Sequence, residues 1–152
     1  MRVPAAQGDL LDINVWVALA NPDHIHHAAA QTYWHRTARD NLWFCRHTMI
    51  GMMRLLCQPA FMNQRVLTPT QAFEAYRHTR AQTRVGMLVD VADLETVWLD
   101  LAKKVQWPPR MWPDAYLAAF AIAGNLRLTS FDGDFSRFPG LDWLHLTAEV
   151  SA

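Results

Sequence analysis

Asp12, Asp114 and Asp132 each sit where an apolar strand or a helix start would bring a carboxylate to one edge of a sheet. Their contexts are Leu10-Leu11-Asp12-Ile13-Asn14, Trp112-Pro113-Asp114-Ala115-Tyr116 and Thr129-Ser130-Phe131-Asp132-Gly133-Asp134. A half-buried carboxylate without a partner is costly. Several converging on one point raise one another's pKa. A divalent cation is the usual way to hold such a cluster together. The residues therefore point to a hard-metal site and to phosphodiester chemistry. Each also has a plainer reading. Asp12 fits a strand-end acid capping a helix, Asp114 a first-turn acid beside Pro113, and Asp132 a turn residue. Taken together and in this order, the metal reading is preferred.

The elements that must position these acids can be read from the pattern. Leu10-Leu11 is a short strand ending at Asp12, and Val15 to Ala20 is a buried helix stopped by Asn21-Pro22-Asp23. A longer helix is expected from His26 to Arg39, a strand over Leu42 to Cys45, and a Met- and Leu-rich helix from Thr48 to Cys57. Thr68-Pro69-Thr70 opens a helix to about Gln82. Met87 to Val89 reads as a third strand, and Asp93 as the cap of a helix to about Val105. Pro108-Pro109 forces an extended break. Pro113-Asp114 opens a helix closed by Gly124-Asn125 with positive φ. Leu126 to Thr129 is a fourth strand, Phe135 to Gly140 a loop or turn, and Leu141 to Leu146 an edge strand. Short apolar strands alternating with helices predict an α/β fold, a three-layer α/β/α sandwich on a short central parallel sheet. Ligands bind outside the carboxyl ends of such strands, which is where Asp12 and Asp132 fall.

The chain has 152 residues, 51% of them hydrophobic, which is enough for one domain with a sizeable core; a single domain over 1–152 is expected. No apolar run approaches the length of a membrane span. The start, Met1 to Gly8, is too short and polar for a signal peptide, so a cytoplasmic protein is expected. Cys45 and Cys57 fall in different elements, which favours a reduced compartment without a disulfide framework. Lys+Arg 14 balance Asp+Glu 14, which argues against nonspecific wrapping of nucleic acid but leaves room for a nuclease using metal and a few arginines. Lys103 and Lys104 are the only lysines; arginine suits bidentate phosphate contacts.

Four segments in order resemble the PIN-domain family, and within it the VapC-type ribonuclease toxins. They run from Leu10 to Ala20, Cys45 to Leu56, Trp112 to Ala121 and Leu128 to Leu141. The likeness covers nearly the whole chain. It implies a Mg²⁺- or Mn²⁺-dependent endoribonuclease that acts on RNA, pairs with a small antitoxin protein and forms a homodimer. By the same resemblance Asp12, Asp114 and Asp132 are the catalytic and metal-binding acids, with Asp134 a further acid of the metal site. Asn14 matches the small polar residue that helps orient the site, and Ser130 the hydroxyl position before the last acid. The chain departs at the second acid, where Met49 replaces a common Glu; methionine does not ligate hard cations.

Other groups have competing readings. Arg46 and Arg54 flank the second-acid segment and are candidate contacts to RNA or the partner; the alternative is solvated guanidinium on a packed stem. Arg110 and Arg137 lie in loops that could border the cleft, with a solvent-facing role at least as good. His24, His26 and His27 lack a matching Cys or Glu partner and read as a polar helix start rather than a metal cluster. Most of the seven tryptophans fall in apolar elements and suit packing. Trp107 and Trp112, beside the Pro-Pro break, are the two worth testing as substrate contacts. The alternative function is a catalytically weakened PIN-like module that binds RNA or protein. An Asp-nucleophile phosphatase ranks low because Asn14 stands where its second Asp is needed. A dinucleotide fold lacks its Gly-rich turn.

Overall fold

The computed structural model describes residues 7–62 and 65–148. Strands β1 (Asp9–Leu11), β2 (Leu42–Cys45), β3 (Val85–Leu88), β4 (Arg127–Ser130) and β5 (Trp143–His145) form one parallel sheet in the order β3-β2-β1-β4-β5. Helices α1 (Ile13–Ala20), α2 (His27–Thr32), α3 (Arg46–Leu56), α4 (Pro59–Met62), α5 (Pro69–Arg80), α6 (Leu94–Lys104) and α7 (Trp112–Gly124) complete the fold. The strand order reverses between β1 and β4. In open α/β sheets that reversal leaves a crevice at the carboxyl ends of the two strands.

Successive strand residues point to opposite faces, and the two cores follow that rule. Leu10, Cys45 and Leu128 join Leu101 of α6 and Leu117 and Phe120 of α7. Leu11, Leu42, Phe44 and Val85 join Val15 and Trp16 of α1, Met52 of α3 and Tyr76 of α5. The result is the three-layer α/β/α sandwich that the pattern predicts. Trp16 stacks on Phe44 at 3.8 Å between ring centroids. Gly51 lets α3 approach α1, since a Cβ there would lie 2.2 Å from Ile13 Cδ1. No described helix is long and apolar enough to cross a membrane.

Several elements differ from their sequence reading for identifiable reasons. The helix expected over His26 to Arg39 is α-helical only to Thr32, then widens to a π-helical turn over Tyr33–Thr37. Arg84 caps that turn, donating to the carbonyls of Trp34 and Arg39 at 2.8 Å each. Pro59 does not merely stop α3 but begins α4. The third strand runs Val85–Leu88, earlier than the expected Met87 to Val89, because it pairs residue by residue with β2. Asp93 precedes α6 in a left-handed conformation, φ 65°, without a side-chain cap bond. At the end of α7 only Asn125 takes positive φ, at 54°. Thr68 and Gln71 do form the capping box that starts α5.

The opposite, amino-terminal edge of the sheet holds a buried ionic cluster. Asp9 is fully buried. Arg127 Nε donates to its Oδ1 at 2.8 Å and Nη2 to its Oδ2 at 2.9 Å. Tyr33 adds its hydroxyl at 2.5 Å and Arg39 its backbone N–H at 3.2 Å. Asp9 and Arg127 are register partners across β1 and β4, so the pair fixes how these strands align.

Candidate active site

β1 ends at Leu11, and Asp12 caps the helix that follows. Its Oδ1 accepts from Ile13 N at 2.7 Å, so the capping role and a position at the sheet edge coexist. Its Oδ2 accepts from the Ser130 hydroxyl at 2.6 Å. Ser130 closes β4 and is fully buried. Besides donating to Asp12, its oxygen accepts from Asn14 Nδ2 at 3.3 Å and from Asp132 N at 2.9 Å. One donor and two acceptor sites are all a serine hydroxyl has, so Ser130 is saturated. Asn14 returns to the same strand end, its Oδ1 accepting from Phe131 N at 3.3 Å. Asp12, Asn14, Ser130 and the Asp132 backbone thus form one network across the β1–β4 crevice.

Asp132 precedes a 3-10 turn over Gly133–Arg137, and its Oδ1 accepts from Asp134 N at 2.9 Å. The turn-residue reading is therefore correct for one of its oxygens. Asp114 lies in the first turn of α7, half-buried. Burial and then the charges of Asp12, Asp132 and Asp134 push its carboxyl up to about 6, against a lowering by Arg110. Burial also raises Asp12, opposed by its bonds to Ser130 and Ile13. The fold thus brings Asp12, Asp132 and Asp134 within electrostatic reach of Asp114, and Asp132 within reach of Asp12. Among the described residues no three potential ligand side chains already converge to hold an ion. The donor set is nonetheless all carboxylate oxygen, with mutual repulsion as the cause of part of the Asp114 shift. That fits a hard divalent cation, which would relieve it.

Met49 is 8% exposed and packs in the core beneath α1. Its sulfur lies 3.1 Å from Arg46 Nη1, so the position of the missing acid holds a thioether under a guanidinium. Arg46 and Arg54 are both exposed on α3. Arg54 is near enough to His47 to depress its imidazole, after burial. Arg110, weighed in the sequence as at least equally solvent-facing, stands at the site, its Nη1 3.8 Å from Asp134 Oδ2. Its neighbourhood to Pro113-Asp114 was the available signal. The three histidines do not form a metal cluster: His26 stacks on Phe131 at 4.4 Å, and His27 Nδ1 lies 2.7 Å from the Ala18 carbonyl.

The Asp114 shift gives a pH prediction. Its carboxyl binds a proton more readily folded than unfolded, so ionisation weakens the metal-free fold. That penalty is absent below about pH 4, grows towards pH 6 and is full above it. Asp114→Asn removes it. In EDTA the variant should gain on the wild type in thermal melts as pH rises through this window. A difference that stays flat from pH 4 to pH 7 would contradict the repulsion.

Comparison with known proteins gives a consistent picture. The family model described as PIN domain matches residues 10–141. Ribonuclease VapC41 of Mycobacterium tuberculosis is 34% identical over 139 residues, covering 88% of this chain and 94% of that protein. Ribonuclease VapC44 of the same species is 28% identical over 141 residues, covering 90% and 96%. Among solved structures, Mycobacterium tuberculosis VapC20, described as a sarcin-ricin-loop-cleaving toxin, superposes with a TM-score of 0.61 at 22% identity, covering 88% of this chain and 98% of that one. VapBC2 from Rickettsia felis, bound to promoter DNA, gives 0.61 at 15% identity, with 93% and 100% covered. The two structural likenesses carry the fold, and the family model with the VapC41 match carries the membership: this chain belongs to the PIN-domain family and is of the VapC type.

Proposed function

We propose that this chain, as a single domain, is the toxin of a toxin–antitoxin pair, a metal-dependent endoribonuclease that hydrolyses RNA phosphodiester bonds. The observation that carries this reading is the network joining Asp12, Asn14 and Ser130 across the β1–β4 crevice, with Asp114, Asp132 and Asp134 in electrostatic range. The ribonuclease names of VapC41 and VapC44 support it. The VapBC complexes among the structural neighbours support an antitoxin partner. A homodimer and a cytoplasmic location belong to the same proposal.

Asp12 and Asp114 would hold Mg²⁺ or Mn²⁺, with Asp132 and Asp134 completing the acidic set. The bound ion supplies charge neutralisation at the phosphate and lowers the pKa of a water. Ser130 locks the Asp12 carboxylate by donating to Oδ2, and Asn14 holds Ser130. Asp132 keeps one oxygen on the turn and leaves the other for the acidic set or the attacking water. Arg110, whose Nη1 lies 3.8 Å from Asp134 Oδ2, would meet a phosphate oxygen. Arg46 and Arg54 offer further contacts to RNA or partner from the exposed side of α3.

The test is cleavage of total RNA and a panel of defined transfer RNAs by purified protein, with Mg²⁺, Mn²⁺ or EDTA, beside Asp114→Asn. Cleavage that requires both metal and Asp114 is the expected result. Failure to cut any RNA, with metal binding also absent, would favour the weakened binding module instead. The supporting role of Ser130 has its own readout. Ser130→Ala should lower Mn²⁺ affinity about 10- to 100-fold in calorimetric titration, as loss of a group orienting a metal ligand generally does. Unchanged affinity would show that Asp12 needs no such support.

A further inference from the structure

The first turn of α7 carries a second feature beside Asp114. Trp112, two residues earlier, is 53% exposed although it is among the largest side chains of the protein. Trp98 and Trp107 hold its ring from two sides, edge to face, at 5.9 Å and 5.2 Å between centroids. Trp98 is in turn packed on Tyr116 at 5.4 Å, and His47 meets Tyr116 at 5.8 Å. Together His47, Trp98, Trp112, Pro113 and Tyr116 line an open pocket of about 320 Å³. Trp107 packs on Phe138 as well, so the group is anchored to the core.

We propose that this pocket binds one unpaired nucleobase of the RNA substrate, stacked against Trp112, and so positions the strand beside Asp114. The inference rests on the nuclease reading and adds the part of the substrate that the acids cannot recognise. Three observations select a base. The walls are aromatic, and every base offers a flat face that stacks on such a surface. The pocket lies close in the chain to the acidic set, because Pro113 lines it and Asp114 is the next residue of the same helix turn. Arg110 stands two residues before Trp112 and its Nη1 lies 3.8 Å from Asp134 Oδ2, which puts a cation for the backbone phosphate near the acids. The ring of Trp112 is also held in place before binding, so little ordering entropy remains to be lost. RNA recognition commonly takes this form, with a splayed base laid on an aromatic side chain.

The test uses single-stranded 12-nucleotide RNAs of mixed sequence with 2-aminopurine at one position, titrated with protein in buffer without divalent ions. The wild type should quench the fluorophore when it occupies one particular position. Trp112→Phe should keep most of the quenching. Trp112→Ala should lose it and bind about tenfold more weakly. Thermal melts confirm that the variants fold, as half-exposure of Trp112 predicts. Equal quenching and affinity in Trp112→Ala would overturn the proposal, and so would absence of quenching by the wild type. Loss of apparent mass by Trp112→Ala in gel filtration, with binding unchanged, would assign the pocket to a second copy of the chain. Cleavage of total RNA with Mn²⁺, run in parallel, separates the two readings: a wild type that cleaves without quenching loses the pocket and keeps the nuclease.

Discussion

Replacing Asp12 by Asn should leave a folded protein whose RNA cleavage is at least about a thousandfold slower, equivalent to roughly 4 kcal/mol in the barrier. The exchange removes a negative charge from the centre of the acidic set, where Asp12 is the most buried of the four. It also sets an amide against two donors. Ile13 N points at one oxygen and the Ser130 hydroxyl at the other. Ser130 cannot easily turn away, since its oxygen already accepts from Asn14 and from Asp132 N. An NH₂ group there meets a donor, which should lower stability by about 1–3 kcal/mol. Single-turnover cleavage with Mn²⁺, read beside a denaturation curve, separates the two effects. Undiminished cleavage by Asp12→Asn would remove this residue from the chemistry.

The second large effect is on stability and lies at the other edge of the sheet. Arg127→Met strands the fully buried Asp9 with Tyr33, Arg39 N and the half-exposed Arg39 guanidinium, whose Nε stays 3.8 Å from Oδ1, to face it. Breaking a buried pair from one side costs about 3–5 kcal/mol. For a chain of this size that is roughly a 10 °C fall in Tm. Exchanging both partners, Asp9→Leu with Arg127→Met, should recover much of the loss, because the desolvation penalty goes with the charge. Differential scanning of the single and double variants decides it. A single variant melting within about 2 °C of the wild type would make the pair no better than a surface bridge.

The layers and the site were legible in the sequence to different depths. Strands such as Leu10-Leu11 and Leu42 to Cys45 are short apolar runs, and runs of that kind announce a buried parallel sheet without its order. The acids were visible because Asp12 and Asp132 each follow a strand and Asp114 opens a helix. The bonds of Asn14 and Asp12 to Ser130 were not, since residues 116 and 118 positions apart meet only through the sheet. Asp9 shows the limit most clearly. In the sequence it merely opens a strand, and nothing local distinguishes it from a solvated acid. Only the pairing of β1 with β4 reveals Arg127 as its partner. The π-helical turn was equally hidden, because the arginine that caps it lies some 50 positions downstream.

The clamp at Asp9 and the reactive crevice at Asp12 occupy the two ends of one strand. Three residue steps of extended chain separate them, roughly 10 Å. β1 and β4 are thus pinned by an ion pair at one end and joined by the Asp12–Ser130 hydrogen bond at the other. The pin makes the alignment of the crevice depend on a bond at the far end of the strand. Heat or mutation that loosens Asp9 from Arg127 frees the two strands to slip, and a slip of one residue would turn Ser130 to the opposite face and away from Asp12. Cutting would then cease while the helices still stood, so activity should be lost at a lower temperature than helical structure.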